Sequence, residues 1–327
     1  MDASRECTRE TEVTQATVVQ YPRIGGPEVL DYATVDLAAP AAGEVLVEVL
    51  AVGVNPIDGK LRSGVRATPP ITAPRRVGSD ASGVVVEVGE GVTGWAAGDE
   101  VIVSTSGAYA TFLVVPEGRL VRKPEEWSFE QAAAVGIPVS TAYQALRSLG
   151  VTAGETVLVH AGSGAVGQAA IQFGVAWGAT VVATASPARH DRVRELGGIP
   201  VEYGDGLVDR VRAVAPQGVD AVLDGAGTDE ALTASFELVA DRDRIGTIVV
   251  GARAAELGIR AWSGGNPVPL SDDEVRLRHE GVPEAARLAR ENGFDVEVAE
   301  TLPFDQAAEA QRRIESGEAR GKIVLLP

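Results

Sequence analysis

Three closely spaced glycines are the first residues in this chain whose pattern implies chemistry. Gly162-x-Gly164-x-x-Gly167 follows directly on the apolar, β-branched run Val157-Leu158-Val159, and Ala169, Ala170, Ile171, Phe173 and Ala176 then recur at helical spacing. Strand, glycine turn and helix in that order suit a pyrophosphate. One glycine makes the tight turn, the second lets backbone approach the phosphates, and the third lets the helix pack close on the strand. The free N–H groups of the helix start then hold the anion. Gly162, Ser163, Gly164, Ala165, Val166 and Gly167 are the residues so placed. A glycine-rich turn with no ligand is the plainer alternative. A second strand over Thr180–Thr184, where a βαβ unit needs one, argues against it.

Other chemistries are poorly supplied. Cys7 is the only cysteine, so no intrachain disulfide or cysteine-based zinc site can form. His160, His190 and His279 are scattered with no metal-ligand spacing, and no metal site is expected. A single cysteine fits a reducing, cytoplasmic setting. The formal charge of −17 argues against nucleic acid as a partner, because phosphate contacts need clustered Lys and Arg. No stretch reaches the roughly 18 apolar residues of a membrane span, and the polar residues 1–14 read as a disordered tail rather than a signal.

Cofactor choice follows from charge. A dinucleotide lacking the 2′-phosphate is usually held by an acid about 20 residues past the glycine motif, bonded to the ribose hydroxyl. The position here is Thr184-Ala185-Ser186, followed by Arg189 and His190. With no acid, and with a hydroxyl, a guanidinium and an imidazole, the site suits a 2′-phosphate, hence NADP(H).

The elements that must position these groups divide into two kinds. Residues 15–54 read as β-rich, with strands at Ala16–Gln20 and Val45–Val54 and a turn at Gly25-Gly26-Pro27. The glycine-punctuated stretch Gly78–Gly98 suggests tight turns of a small barrel. Ser128-x-x-Gln131 reads as a capping box opening a helix, and Thr141–Leu149 as a second helix. From Gly154 to Gly251 strands and helices alternate, ending in a strand at Gly246–Val250, which argues for an α/β doubly wound parallel sheet. Gly225 and Ala226, then Val250, Gly251 and Ala252, follow later strands and so fall at the carboxyl edge, where ligands bind in such sheets. Helices at Pro283–Asn292 and Phe304–Ser316 and strands at Val296–Thr301 and Lys322–Leu326 close the chain.

The chain resembles the zinc-independent medium-chain dehydrogenase/reductases of the quinone oxidoreductase (zeta-crystallin-like) branch. The matching segments run almost its whole length: GGPEVL at Gly25–Leu30, VNPID at Val54–Asp58, GSDASGVVVEVGEGV at Gly78–Val92, TAYQAL at Thr141–Leu146, HAGSGAVG at His160–Gly167 and EARGKIVL at Glu318–Leu325. The resemblance implies a GroES-like β-barrel catalytic domain (15–130 and 275–327) interrupted by a Rossmann NADP-binding domain (131–274). It also implies NADPH-dependent, metal-free hydride transfer to a small-molecule quinone, enone or related carbonyl, by a homodimer paired along the sheet edge at Gly246–Val250. Leu257–Pro269 is the segment available to cover that edge instead. Two other functions stay open: a zinc-free ketone or alcohol reductase, and a redox-inactive cyclase or related pathway enzyme.

By the same resemblance Asn55 lies near the cofactor ribose and substrate, Thr141 near the cofactor, Tyr203 near the 2′-phosphate, and Gly321 and Lys322 in a terminal cofactor-side element. Quinone reductases often carry a tyrosine five residues after the asparagine, where this chain has Lys60, and an aromatic where it has Arg66. With that proton donor absent, Lys60, Asp58 or a water held by the ribose are the remaining candidates.

Overall fold

The computed structural model describes residues 13–263, 265–319 and 321–327. Of the expected tail, residues 1–12 lie outside the described residues, and Thr14 already belongs to the first strand, Thr14–Tyr21.

The first and last parts of the chain build antiparallel sheet. Glu44–Gly53 pairs with Asp80–Val88, which pairs with Glu100–Ser104, and Phe112–Pro116 lies on the other side of Glu44–Gly53. Alternation explains these strands: Val45, Val47 and Val49 point inward with Val85, Val101 and Val103. The closing strands Val298–Pro303 and Lys322–Leu326 join this same sheet, the last of them antiparallel to Glu44–Gly53. Lys322 thereby comes beside Asn55, far from it in sequence.

The middle of the chain is a six-stranded parallel sheet. Its strands, in chain order Thr156–His160, Thr180–Thr184, Ile199–Val201, Ala221–Asp224, Ile245–Thr247 and Arg260–Ala261, stand in spatial order 3-2-1-4-5-6. That order places a crevice at the carboxyl end of the first strand, where the chain winds to opposite sides. The expected α/β class, a barrel-like sheet beside a doubly wound parallel sheet, is what the structure shows.

Two elements differ most from the sequence expectation. The strand expected over Gly246–Val250 is only Ile245–Thr247, because Ile248–Val250 turn away. It is not an exposed edge either: Arg260–Ala261, inside Leu257–Pro269, pairs parallel to it. The helix expected from Pro283 begins eleven residues earlier and spans Asp272–Asn292. A capping box of Ser271 and Glu274 starts it, a signal present in the sequence. Gly281 and Pro283 break its apolar pattern, but a Cβ on Gly281 would stand 2.9 Å from Ser140 Cα. The glycine is what lets this helix cross close to the helix Gly136–Ser148. Among the described residues no helix is long and apolar enough to cross a membrane.

Candidate active site

A cleft of about 910 Å³ runs between the parallel sheet and the barrel. Its two walls carry different groups.

On the sheet wall, the strand Thr156–His160 ends in a turn at Ala161, whose φ of 58° is the only left-handed non-glycine among the described residues. A residue with a Cβ pays roughly 1–2 kcal/mol there. Hydrogen bonds hold the turn: Ala161 N donates to Thr184 Oγ1 (3.1 Å) and Gly162 N to the Thr184 carbonyl (2.8 Å). The helix Ala165–Ala176 begins at once, capped by Gly164 without a side-chain bond. The N–H groups of Ala165, Val166 and Gly167 therefore lack intrahelical partners and face the cleft. A Cβ on Gly167 would lie 2.6 Å from Gly162 Cα and against the Ala161 carbonyl, so helix and turn touch there. A Cβ on Gly164 would meet protein only at the Ala161 oxygen, 3.4 Å away, so the space over it is open to a ligand. These features fit the pyrophosphate of a dinucleotide.

The same wall includes Gly225 and Ala252, and Thr141 lines the cleft from the helix Gly136–Ser148. Gly162, Ser163, Ala226, Val250 and Gly251 stand next to these residues but do not line the cleft. The N–H of Ala226 is already committed to Asp224 Oδ1 (3.0 Å). His160 is buried, and Ser235 Oγ, 3.1 Å from its Nε2, gives its own proton to the Ala231 carbonyl. The imidazole must therefore donate from Nε2. Burial lowers its pKa to about 4, so it is neutral at pH 7.

The barrel wall is made of side chains. Asn55 starts the short helix Pro56–Arg62 and is 2% exposed. Its Nδ2 donates to Asp80 Oδ2 (2.8 Å), and its Oδ1 accepts from Lys322 Nζ (2.6 Å). Lys322 Nζ is also 3.6 Å from Asp80 Oδ2. Asp80 in turn accepts from Ile137 N (2.9 Å) at the start of the helix Gly136–Ser148, where a helix dipole favours an anion. Burial, countered by Asp80 and Asp58, lowers the Lys322 pKa. Asn55 is thus the central link, and its amide is fully used inside the protein. Lys322 has a hydrogen to spare and lines the cleft.

Asp58 does not face the cleft. Its Oδ2 accepts from Asn55 N (2.9 Å) and Tyr109 Oη (3.0 Å), all three groups being buried. Burial raises its pKa to about 7. Lys60 does line the cleft but is exposed, away from Asp58. The structure thus separates the two, and puts Asp80 and Tyr109, which the sequence does not single out, beside Asn55.

The remaining cofactor candidates do not line this cleft. Ser186 opens the 3-10 turn Pro187–Arg189, His190 Nε2 lies 3.2 Å from the Ala185 carbonyl, and Tyr203 is 55% exposed nearby in sequence. Arg189 is engaged: Nη1 donates to Glu297 Oε1 (2.9 Å), and Glu297 also accepts from Gln168 Nε2 (2.7 Å). No group of three or more His, Cys, Asp or Glu that could hold a metal occurs among the described residues.

Comparison with known proteins agrees with this fold. Residues 41–125 match the alcohol dehydrogenase GroES-like domain and residues 200–325 the zinc-binding dehydrogenase domain. Human quinone oxidoreductase is 32% identical over 324 residues, covering 94% of this chain and 97% of that protein. The chain belongs to the quinone oxidoreductase branch of the medium-chain dehydrogenase/reductases. The branch is not uniform in name: rat synaptic vesicle membrane protein VAT-1 homolog is 30% identical, over 88% of this chain and 78% of its own length. Among solved structures, Escherichia coli quinone oxidoreductase complexed with NADPH superposes with a TM-score of 0.77 at 27% identity, covering 95% of this chain and 100% of that one. In this quinone oxidoreductase relative the cleft is therefore flanked by the two sheets its family shares, and the chain is an oxidoreductase by descent.

Proposed function

We propose that this chain reduces a quinone, enone or related carbonyl with NADPH, without a metal. The observation that carries the reading is the opposition of two groups across one cleft. The N–H groups at Ala165–Gly167, without intrahelical partners, and the buried cation of Lys322 line the same cleft from its two walls. Bound NADPH supplies the hydride. The chain's residues do the rest. Ala165, Val166 and Gly167 hold the pyrophosphate with backbone donors, and Thr141, Gly225, Ala252 and Gly321 shape the space for the nicotinamide half. Ser186, Arg189, His190 and Tyr203 meet the 2′-phosphate. Asn55 and Asp80 hold Lys322 with one N–H toward the acceptor oxygen, where it steadies the charge that develops on that atom. Asp58 fixes Asn55 and touches nothing that reacts. The E. coli relative that binds NADPH supports the cofactor assignment.

The two lobes are proposed as 15–130 with 275–327, and 131–274. The return of Val298–Pro303 and Lys322–Leu326 to the barrel sheet supports this, although the helix Asp272–Asn292 packs on Gly136–Ser148. A homodimer is proposed to form along Arg260–Ala261, the outermost strand of the parallel sheet. The cytoplasm is its proposed location. The test of function is NADPH oxidation against a panel of quinones, enones and saturated ketones, with identification of the product. Turnover of quinones or enones with stoichiometric NADPH loss is expected. Turnover of saturated ketones alone would replace the reading with a ketone reductase, and turnover without NADPH loss would end it. Light scattering at micromolar concentration should give twice the chain mass, and a monomer mass would remove the dimer.

A further inference from the structure

The chain carries a formal charge of −17, yet among the described residues every ionisable side chain that lines the cleft, His160 aside, is a cation. Lys60, Arg66, Arg278 and Lys322 line it, and no Asp or Glu among the described residues does. Lys322 is committed to Asn55 and Asp80, and Arg278 donates to the Trp262 carbonyl (2.9 Å). Lys60 and Arg66 differ. Both are exposed, and neither has a carboxylate within 4.0 Å among the described residues. Most other arginines on this acidic surface do have one. Arg122, Arg189, Arg192, Arg276, Arg287 and Arg312 are all paired.

The pair is also built as a unit. Arg66 N donates to the Lys60 carbonyl (2.8 Å), so the chain leaving the helix Pro56–Arg62 folds back on it and sets both side chains at one mouth of the cleft. Val65, 79% exposed, lines the same mouth, with Ile57 beside it. An apolar surface next to two unpaired cations suits a ligand with a flat apolar body and an anionic group.

We infer that the acceptor this cleft takes is anionic: a conjugated carbonyl or quinone bearing a carboxylate, sulfonate or phosphate, which Lys60 and Arg66 recognise. The inference rests on the proposed reductase function and narrows it to a substrate class. The physical basis is focusing. In a molecule of net negative charge, a low-dielectric cleft lined by one sign concentrates the opposite sign and excludes cations. Specificity comes as well, because an anion sent elsewhere on this surface meets like charge. The phosphates of NADPH are the other possible anion. They are already provided for on the opposite wall, at Ala165–Gly167, whereas Lys60 and Arg66 belong to the barrel side.

The experiment compares 1,2-naphthoquinone-4-sulfonate with neutral 1,2-naphthoquinone as acceptors, using the full-length protein and the double variant Lys60→Met/Arg66→Met, which keeps both stems. The ratio of kcat/KM for the sulfonate to that for the neutral quinone should fall about tenfold or more in the double variant, and should fall in the unaltered protein as salt rises from about 50 to 300 mM. A second arm needs no turnover: 2-naphthalenesulfonate binding, by calorimetry, should weaken at least about fivefold in the double variant. The third is the NADPH dissociation constant, expected to agree between the two proteins. NADPH affinity falling in step with sulfonate affinity would assign the cations to the cofactor and overturn the inference. So would an acceptor ratio that neither the substitutions nor salt moves. Failure to reduce any quinone would end the proposed function, and the naphthalenesulfonate arm would still decide the anion site.

Discussion

On the sheet wall of the cleft the groups offered to a ligand are backbone N–H donors at Ala165, Val166 and Gly167, exposed by the absence of side chains at Gly164 and Gly167. On the barrel wall they are side chains, Lys322 held by Asn55 and Asp80, with Asp58 and Tyr109 behind. Backbone donors carry no formal charge, need no counter-ion and ignore pH. They depend on shape alone, so what breaks that wall is volume. The side-chain wall depends on balance. Each buried charge has lost its hydration and is stable only while its partners are present. What breaks that wall is removal of one partner, or a proton.

The largest effect on cofactor binding is expected on the shape-dependent wall. Gly167→Ala puts a methyl 2.6 Å from Gly162 Cα and against the Ala161 carbonyl, both backbone, so the turn or the helix must move. NADPH binding, measured by fluorescence titration, should weaken about 100-fold or more, equivalent to about 2.7 kcal/mol. Gly164→Ala sharpens the contrast. Its methyl meets only the Ala161 oxygen at 3.4 Å, so thermal stability should stay within about 0.5 kcal/mol of the parent. Its NADPH affinity should nevertheless fall. Unchanged affinity would show that the pyrophosphate does not approach Gly164.

The charge-dependent wall should respond to Lys322→Met in two ways. Asp80, 2% exposed, loses the one cation paired with it among the described residues, and a buried pair broken on one side costs about 3–5 kcal/mol in stability. Turnover should fall about 100-fold with the loss of the cation proposed to steady the acceptor oxygen. The double variant Lys322→Met/Asp80→Asn separates these effects, since it removes both charges. Stability by denaturant titration should largely recover while turnover does not. Recovery of both would make Lys322 structural.

A proton should act on the same wall through Asp58. Its folded pKa is raised to about 7 by burial, with the Asp80 charge adding and Lys322, Asn55 N and Tyr109 opposing. An unfolded aspartate titrates near 3.9. Between those values the folded state holds a proton that the unfolded state has released, so stability falls as pH rises from about 4 to about 7 and is level above that. Each unit of the difference corresponds to about 1.4 kcal/mol. Asp58→Asn removes this titration. Its stability relative to the parent should rise across that window, and a pH-independent difference would show that Asp58 stays ionised in the fold.

The two walls also differ in how well the sequence announces them. The glycine turn is local. Strand, turn and helix lie within one short segment, and each glycine has its own steric reason. The parallel sheet was legible for the same cause, because every strand is followed by its own helix. The barrel wall is assembled from Asn55, Asp58, Asp80, Tyr109 and Lys322, brought together by strand pairing across most of the chain. Spacing carries no trace of that. The return of Lys322 to the first sheet followed only from family resemblance, and Asp80 lies inside the matching segment Gly78–Val92 with nothing in its spacing to mark it as a site residue. Arg260–Ala261 escaped notice because two residues make no periodic pattern. The early start of Asp272–Asn292 was hidden by Gly281 and Pro283, although its capping box was in plain view.

The smallest effect is expected outside the cleft, at Arg189, whose ion pair ties the parallel-sheet lobe to the segment before the barrel strand Val298–Pro303. Arg189 follows the strand Thr180–Thr184, but its guanidinium is held by Glu297, just before the barrel strand Val298–Pro303. Both side chains are partly exposed, 30% and 26%, so the pair is weak and open to exchange. A 2′-phosphate must compete with Glu297 for this arginine. With no acid at Thr184-Ala185-Ser186 to favour the free ribose hydroxyl, NADPH should bind about tenfold tighter than NADH, or about 1.4 kcal/mol. Arg189→Ala should narrow that ratio to about threefold or less, because Ser186, His190 and Tyr203 remain. Glu297→Gln keeps the hydrogen bond to Gln168 possible and removes the competing charge, so it should widen the ratio. The pair of variants distinguishes a phosphate ligand from a lobe-to-lobe tie: a tie would lower thermal stability equally in both variants and leave the cofactor ratio where it was. Equal affinities for NADPH and NADH in the unaltered protein would remove Arg189 from the cofactor site and leave it with Glu297 alone.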